Sequence, residues 1–361
     1  MRIRGLVFDG PGRAPQVESL DLADPEPGEV LVRYAASGVC RSDLHVVDGD
    51  WARPTPIVLG HEGAGVVEQV GDGVRHVAVG DEVVLSWLAP CGICPACSRG
   101  RSWLCSGSPA GTHLQADGTS RVRRPDGSPV HQYLSIGTMS DAAVVPGPAV
   151  VAIPAGVPGE VAALIGCGVS TGYGAVVRTA AVEPGERVVV VGCGGVGLAA
   201  VMAAVRCGAG EVVAVDRVPA KLDVARSLGA TRVVLADDVT AGLGADFDVA
   251  LDCIGSPAVV ADLLGRLVPG GRVVLVGMTA QGVAHQVDGY VVPDRGLSVL
   301  GCCYGSTVAA VDFPAIAAAY LAGELPLDVL VERRIALDEV GTALAAMRRD
   351  EGLRAVVDLR R

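Results

Sequence analysis

The chain has 361 residues, half of them apolar, and a formal net charge of −11 at pH 7. Its length exceeds one ordinary core and points to two domains, while an aromatic share of only 3% implies aliphatic interiors. The acidic balance disfavours nucleic acid or an anionic membrane as partner, because both are bound through clustered Lys and Arg; the densest basic stretch, 121–124, reads as a short solvated loop.

The opening Met1-Arg2-Ile3-Arg4 lacks the apolar core of a secretory signal, so a cytoplasmic location is expected. The first hundred residues then read as short strands at 29–33, 63–70 and 81–85, punctuated by Gly, Pro and Asp. This half is mostly β. Cys40 stands in Gly-Val-Cys-Arg-Ser-Asp, His61 in Gly-His-Glu, and Cys167 further on in Ile-Gly-Cys-Gly. Each alone is weak, since a lone Cys or His beside apolar residues is more often simply buried. Together, two thiolates and one imidazole would leave a fourth zinc position open for water or substrate, which makes the metal a Lewis acid.

Eleven cysteines in a chain read as cytosolic do not form a disulfide framework. Cys91, Cys94, Cys97 and Cys105 form C-x2-C-x2-C-x7-C, with Gly92 and Pro95 inside. Four thiolates so close in sequence can converge on one tetrahedral zinc with no position left for a ligand, so this site is structural. Cys193, Cys207, Cys253, Cys302 and Cys303 lie in or beside apolar segments and read as small buried hydrophobes.

From about Glu186 apolar strands alternate with amphipathic segments, the signature of βαβ units. Strands are predicted at 187–191, 211–215, 232–235, 247–251 and 272–276, and helices from Val196, Pro219 and Pro257. The apolar run 188–205 resembles a membrane span in composition, but the glycines in its middle make it a buried strand followed by a buried helix. Those glycines, Gly192, Gly194, Gly195 and Gly197, form G-x-G-x-x-G between strand and helix, and Asp216 ends the next strand. The glycines allow a tight turn and close backbone approach, the helix N-terminus faces a pyrophosphate, and Asp216 would bond the adenosine ribose hydroxyls. A carboxylate there repels a 2′-phosphate and favours NAD over NADP, a preference that the adjacent Arg217 softens. The tail after Tyr304 loses the rhythm, and 355–359 reads as a strand returning to the first domain.

With these segments, together with Asp117-Gly-Thr-Ser-Arg121 and Ile165-Gly-Cys-Gly-Val-Ser-Thr-Gly-Tyr-Gly174, the sequence resembles the zinc-containing medium-chain alcohol dehydrogenases over essentially its whole length. The long loop around Asp117 is similar to the commonly dimeric animal and plant type, so a homodimer is expected. The resemblance implies an α/β fold: a mostly-β, discontinuous GroES-like catalytic domain over 1–168 and 305–361, and a Rossmann, doubly wound NAD-binding domain over 169–304. It implies two zinc ions, the catalytic one held by Cys40, His61 and Cys167, with Asp43 orienting His61 and Glu62 close behind the metal. An alcohol or aldehyde is the implied substrate. Ser42 and His45 occupy the positions of the family's proton relay. Arg41 and Arg354 resemble its pyrophosphate-contacting arginines, Lys221 its adenosine-ribose lysine, and Thr171 lies where the nicotinamide packs.

Trp51 and Trp87 fall where the family places substrate-pocket side chains, and indoles there favour benzylic, allylic or unbranched substrates. Glutathione-dependent formaldehyde dehydrogenases of the family hold the adduct's carboxylate with an arginine shortly after the last structural cysteine; residues 106–110 here carry no base. A thiol-dependent formaldehyde dehydrogenase and a reductase of activated C=C or C=N bonds stay open as alternatives. A scaffold without catalysis is disfavoured because no zinc ligand is lost.

Overall fold

The computed structural model describes residues 1–236 and 242–360, and the chain divides into two compact units. The first comprises Met1–Cys167, Val308–Gly323 and Val331–Arg361. Its strands Arg2–Phe8, Gln16–Leu22, Val122–Arg123, Pro129–Gln132 and Ile57–Val58 close a barrel. Beside the barrel, a seven-stranded sheet runs Val150–Ala152, Glu82–Leu85, Glu62–Val70, Glu29–Gly38, Arg354–Asp358, Val331–Ile335, with Ala142–Pro146 also on Glu29–Gly38. Alternation in the central strand serves two cores: Val30, Val32 and Tyr34 enter one apolar cluster and Leu31 another. The expected strand at 355–359 is Arg354–Asp358, antiparallel to Glu29–Gly38, with Val356 opposite Gly38.

The basic stretch 121–124 is not a solvated loop. Arg121 is buried and donates to both Glu29 carboxylate oxygens at 2.8 Å and to Asp117 at 2.8 Å, and Arg124 pairs with Glu18 and Asp9. Arg121 and Arg124 are thus each matched by acids distant in sequence, while Arg123 alone stays exposed, on the Gly127 carbonyl.

The second unit comprises Gly168–Thr307 and Glu324–Leu330. The segment Glu324–Leu330, expected in the first domain, thus falls with the second. Six parallel strands lie in the order Arg232–Leu235, Glu211–Asp216, Arg187–Val191, Phe247–Asp252, Leu267–Leu275, Ser298–Gly301. Numbered within the unit this is 3-2-1-4-5-6, the doubly wound order whose crevice lies at the carboxyl ends of its first and fourth strands. Val189 sits between Val213 and Ala250 and is fully buried, so this strand is apolar throughout because both its faces are covered. The run 188–205 resolves into Arg187–Val191 and the helix Gly195–Arg206.

Several elements had no counterpart in the sequence reading, among them the helices Arg41–Asp48, Ala309–Leu321 and Val340–Arg348 and one longer than these. Gly159–Ala180 is a continuous helix, long and apolar enough to cross a membrane yet mostly buried in the fold, and it contains two π-helical stretches, Ile165–Val169 and Ala175–Ala180. Among the five leftover cysteines, Cys193 is buried and Cys207, Cys253 and Cys302 are half-buried, but Cys303 is exposed, contrary to expectation.

Candidate active site

The four-cysteine lobe is built almost without regular structure. Gly92 adopts φ +77°, open to glycine at little cost, and Pro95 starts the short helix Pro95–Ser98 with Cys94 as its N-cap. The four Sγ atoms lie within 4.8 Å of one another. Backbone N–H groups point at the sulfurs: Cys94 to Cys91 at 3.4 Å, Cys97 to Cys94 at 3.5 Å and Cys91 to Cys105 at 3.2 Å. Those from Cys97 and Ser106 draw the Cys94 thiol down to about 5. The Cys91 thiol is drawn down as well, whereas burial pushes the Cys97 thiol up to about 12, so the backbone favours thiolate, the form that binds zinc, at Cys91 and Cys94.

The second set is assembled from three distant segments. Cys40 is the N-cap of the helix Arg41–Asp48, and its N–H donates to Asp43 Oδ2 at 3.1 Å. Asp43 Oδ1 accepts from the Gly60 N–H at 3.2 Å and meets His61 Nδ1 at 3.2 Å. Asp43 is fully buried, so this carboxylate fixes the imidazole with Nδ1 protonated and Nε2 turned the other way. Cys167 comes from the π-helical stretch Ile165–Val169, a widened turn of the kind that often marks functional sites. Ligand atoms of Cys40, His61, Glu62 and Cys167 lie within 4.8 Å of one another.

His61 Nε2 is buried and, among the described residues, has no hydrogen-bond partner. A buried imidazole nitrogen left bare beside two thiols is what a zinc ion would satisfy, so the residues fit the metal. The two thiols share a proton: their mutual hydrogen bond holds Cys40 well below the usual thiol range and Cys167 well above it. Burial works against a charged His61, yet Asp43 and the Cys40 thiolate raise its pKa.

Behind this set lies a buried ion pair. Arg354, expected at a pyrophosphate, is itself buried and donates to Glu62. Burial pushes the Glu62 carboxyl up to about 7, with Arg354 pulling against it; an uncompensated carboxylate at this depth would be costly. Gly38 leaves the room, since a Cβ there would stand 2.0 Å from Glu62 Oε2. Arg41, the other arginine expected at the pyrophosphate, is exposed and pairs with Asp350 at 2.8 Å.

Ser42 and His45, three residues apart, share one face of the helix Arg41–Asp48, where His45 bonds Asp50 at 2.7 Å and stacks on Trp51 at 4.5 Å. Trp51 is buried; Trp87 is half-buried against the core of the first unit. Tyr133, which the sequence did not single out, stands edge-on to His61 at 5.5 Å.

In the second unit the glycine turn is tight and closely packed. Gly192 has φ +96°, and a Cβ on Gly197 would lie 1.8 Å from the Gly192 carbonyl, so helix and strand pack closer than any side chain allows. A Cβ on Gly194 would meet nothing within 4 Å, and the helix Gly195–Arg206 begins directly after it. Asp216 accepts the Cys193 N–H at 2.7 Å and the Val218 N–H at 2.9 Å, which pins the carboxylate at the strand end. Lys221 lies on the following helix, Pro219–Ser227, and Thr171 on Ser170–Gly174; both are half-buried.

Comparison with known proteins agrees with this architecture. Residues 26–155 match the alcohol dehydrogenase GroES-like domain and 195–321 the zinc-binding dehydrogenase domain. The NDMA-dependent alcohol dehydrogenase of Amycolatopsis methanolica is 36% identical over 99% of both chains. This chain belongs to the zinc-binding alcohol dehydrogenase family. The S-(hydroxymethyl)glutathione dehydrogenase of Escherichia coli is 34% identical to this alcohol dehydrogenase, over 99% of this chain and all of the relative. Among solved structures, benzyl alcohol dehydrogenase from Acinetobacter calcoaceticus superposes with a TM-score of 0.93 at 31% identity, covering 99% of each chain.

Proposed function

We propose that this enzyme oxidises primary or secondary alcohols, or reduces the corresponding aldehydes and ketones, using NAD(H) and one catalytic zinc, and prefers flat or slender substrates. The observation that carries the reading is the buried set of Cys40, His61 and Cys167 with the bare Nε2 of His61. When bound, zinc supplies a Lewis acid that lowers the pKa of the substrate hydroxyl, and nicotinamide supplies the hydride acceptor. The protein's own part is positioning. Asp43 holds His61 in the tautomer that offers Nε2, Arg354 balances Glu62, and the site stays dry because its donors are buried. Ser42 takes the hydroxyl proton and His45 carries it on, its Nδ1 held by the half-exposed Asp50.

Asp216 supports NAD as the carrier, because its fixed carboxylate repels a 2′-phosphate. Trp51 and Trp87 support the substrate preference, as does the name of the Acinetobacter relative. A homodimer is the proposed assembly: among the described residues the strand Ser298–Gly301 pairs on one edge alone, with exposed Tyr290, Val283 and Val287 close by in sequence. The test is metal analysis of anaerobically purified protein, with NADH absorbance followed across benzyl, allyl, linear and branched alcohols. Two zinc ions per chain and NADH formed fastest from benzyl or allyl alcohol support the reading; one zinc and no NADH overturn it. The name of the Amycolatopsis relative favours a second reading, in which turnover needs NDMA as well. Product formed only when NDMA is added to NAD and alcohol would select it.

A further inference from the structure

Strained backbone in the first unit gathers in one place. Among its described residues four that are not glycine hold a left-handed φ, and three of them, His113 at +62°, Leu134 at +52° and Ser135 at +66°, lie in two segments that run together. Side chains join those segments. Ser135 Oγ donates to the Leu114 carbonyl at 2.7 Å, and Gln115 Nε2 to the Ser135 carbonyl and to Gln132 Oε1, each at 3.3 Å. Backbone held in this region is costly and persists only where the surroundings over-determine it, which is common beside reaction centres.

Between the segments stands Tyr133, 1% exposed and perpendicular to the His61 ring at 5.5 Å. His113 grips it in three ways. Its carbonyl accepts the Gln132 N–H at 3.0 Å, its Nδ1 accepts the Leu134 N–H at 2.9 Å, and its ring stacks on Tyr133 at 5.6 Å with planes 22° apart. The residues on either side of the tyrosine and the tyrosine ring itself are thus held by one histidine. Glycine would adopt φ +62° without strain but has no ring to meet Leu134 or Tyr133, so the strained conformation of residue 113 is kept for its imidazole.

Asp43 holds the His61 ring at one atom, Nδ1, 3.2 Å away. A single hydrogen bond fixes the tautomer but lets the plane of the ring swing about it. Tyr133 supplies the second constraint, because perpendicular aromatic packing has a defined geometry. A metal bond lies in the plane of an imidazole, so that plane decides where Nε2 points.

We propose that His113 is a positioning residue of the Cys40, His61 and Cys167 set: by clamping Tyr133 it fixes the plane of His61 and hence the aim of Nε2. This rests on the zinc dehydrogenase reading above and adds to it a residue that lies one ring beyond the metal ligands.

The test loads cobalt(II) into that set of the full chain, with zinc kept in the four-cysteine lobe; the visible band absent from Cys167→Ala belongs to the set. His113→Gly, which suits the backbone and removes the ring, should shift that band and weaken zinc binding at the set by about tenfold against a chelator, with the lobe's metal unaffected. His113→Asn tolerates a left-handed φ and offers Leu134 an acceptor but has no ring to stack, so its band should fall between the other two. A band unmoved in both variants overturns the proposal whatever the melting temperature does, since a residue that only supports the fold changes stability and not the ligand field. If His113→Gly does not fold, His113→Asn decides by the same band. A native chain that holds metal in the lobe alone overturns the zinc reading, and the proposal with it.

Discussion

The two thiol clusters of this chain hold similar atoms in opposite ways. In the lobe, all four sulfurs come from one short stretch, and those of Cys91, Cys94 and Cys105 take hydrogen bonds from backbone N–H groups within it. At the other set, Cys40, His61 and Cys167 arrive from separate segments, and their support comes from Asp43, Glu62 and Arg354, all buried. A local cluster of four thiols can clasp a metal on all sides and leaves no position for a substrate. The dispersed set places a buried imidazole nitrogen, unpartnered among the described residues, beside two thiols with an ion pair behind it, an arrangement that fits the proposed reaction centre.

That contrast can be broken from either side. The largest effect is expected from His61→Ala or Cys167→Ala: kcat/KM should fall on the order of a thousandfold or more, with one zinc lost per chain by metal analysis. Cys97→Ser should empty the lobe instead. Its melting temperature should fall by roughly 5–10 °C while the enzyme still folded at low temperature turns over; a loss of activity without a change in melting temperature would reverse the roles of the two clusters. Asp43→Asn keeps the shape but weakens the hold on His61, and zinc affinity or kcat should drop by about 10–100-fold. The smallest effect concerns His113, near the dispersed set. Its folded-state pKa of about 4 lies below the ordinary histidine value, so in the window between them the unfolded chain binds more protons. Stability from this group is therefore full above about pH 6.5 and lost as pH falls toward 4. Denaturant titrations should show that slope, and His113→Gln should flatten it.

What the sequence disclosed follows the same division. The lobe was legible because its ligands are neighbours, and the parallel sheet because a strand covered on both faces must be apolar along its length, as 188–191 is. Cys40, His61 and Cys167 separately looked like buried residues; taken together their chemistry suggested an open zinc site, and the resemblance to a family made them its ligands. Nothing in the sequence links Glu62 to Arg354 or Arg121 to Glu29, because a buried ion pair leaves no local pattern. The helix Gly159–Ala180 was hidden by its own glycines, which propensity counts against a helix. The structure supplies their reason: a Cβ on Gly172 would lie 2.0 Å from the Val196 carbonyl, and one on Gly174 2.1 Å from that of Gly305. The backbones meet where side chains would have stood.

The ion pair between Glu62 and Arg354 spans 292 residues, and this sets an order on biosynthesis. On the ribosome, Cys40, His61 and Glu62 emerge early, and the whole six-stranded unit must follow before the balancing guanidinium exists. A nascent chain can close its four-cysteine lobe around a metal long before then, but it cannot bury Glu62 at tolerable cost. The lobe's four cysteines are thus all present early in translation, whereas the ion pair behind the dispersed set becomes possible only after most of the polypeptide has been made.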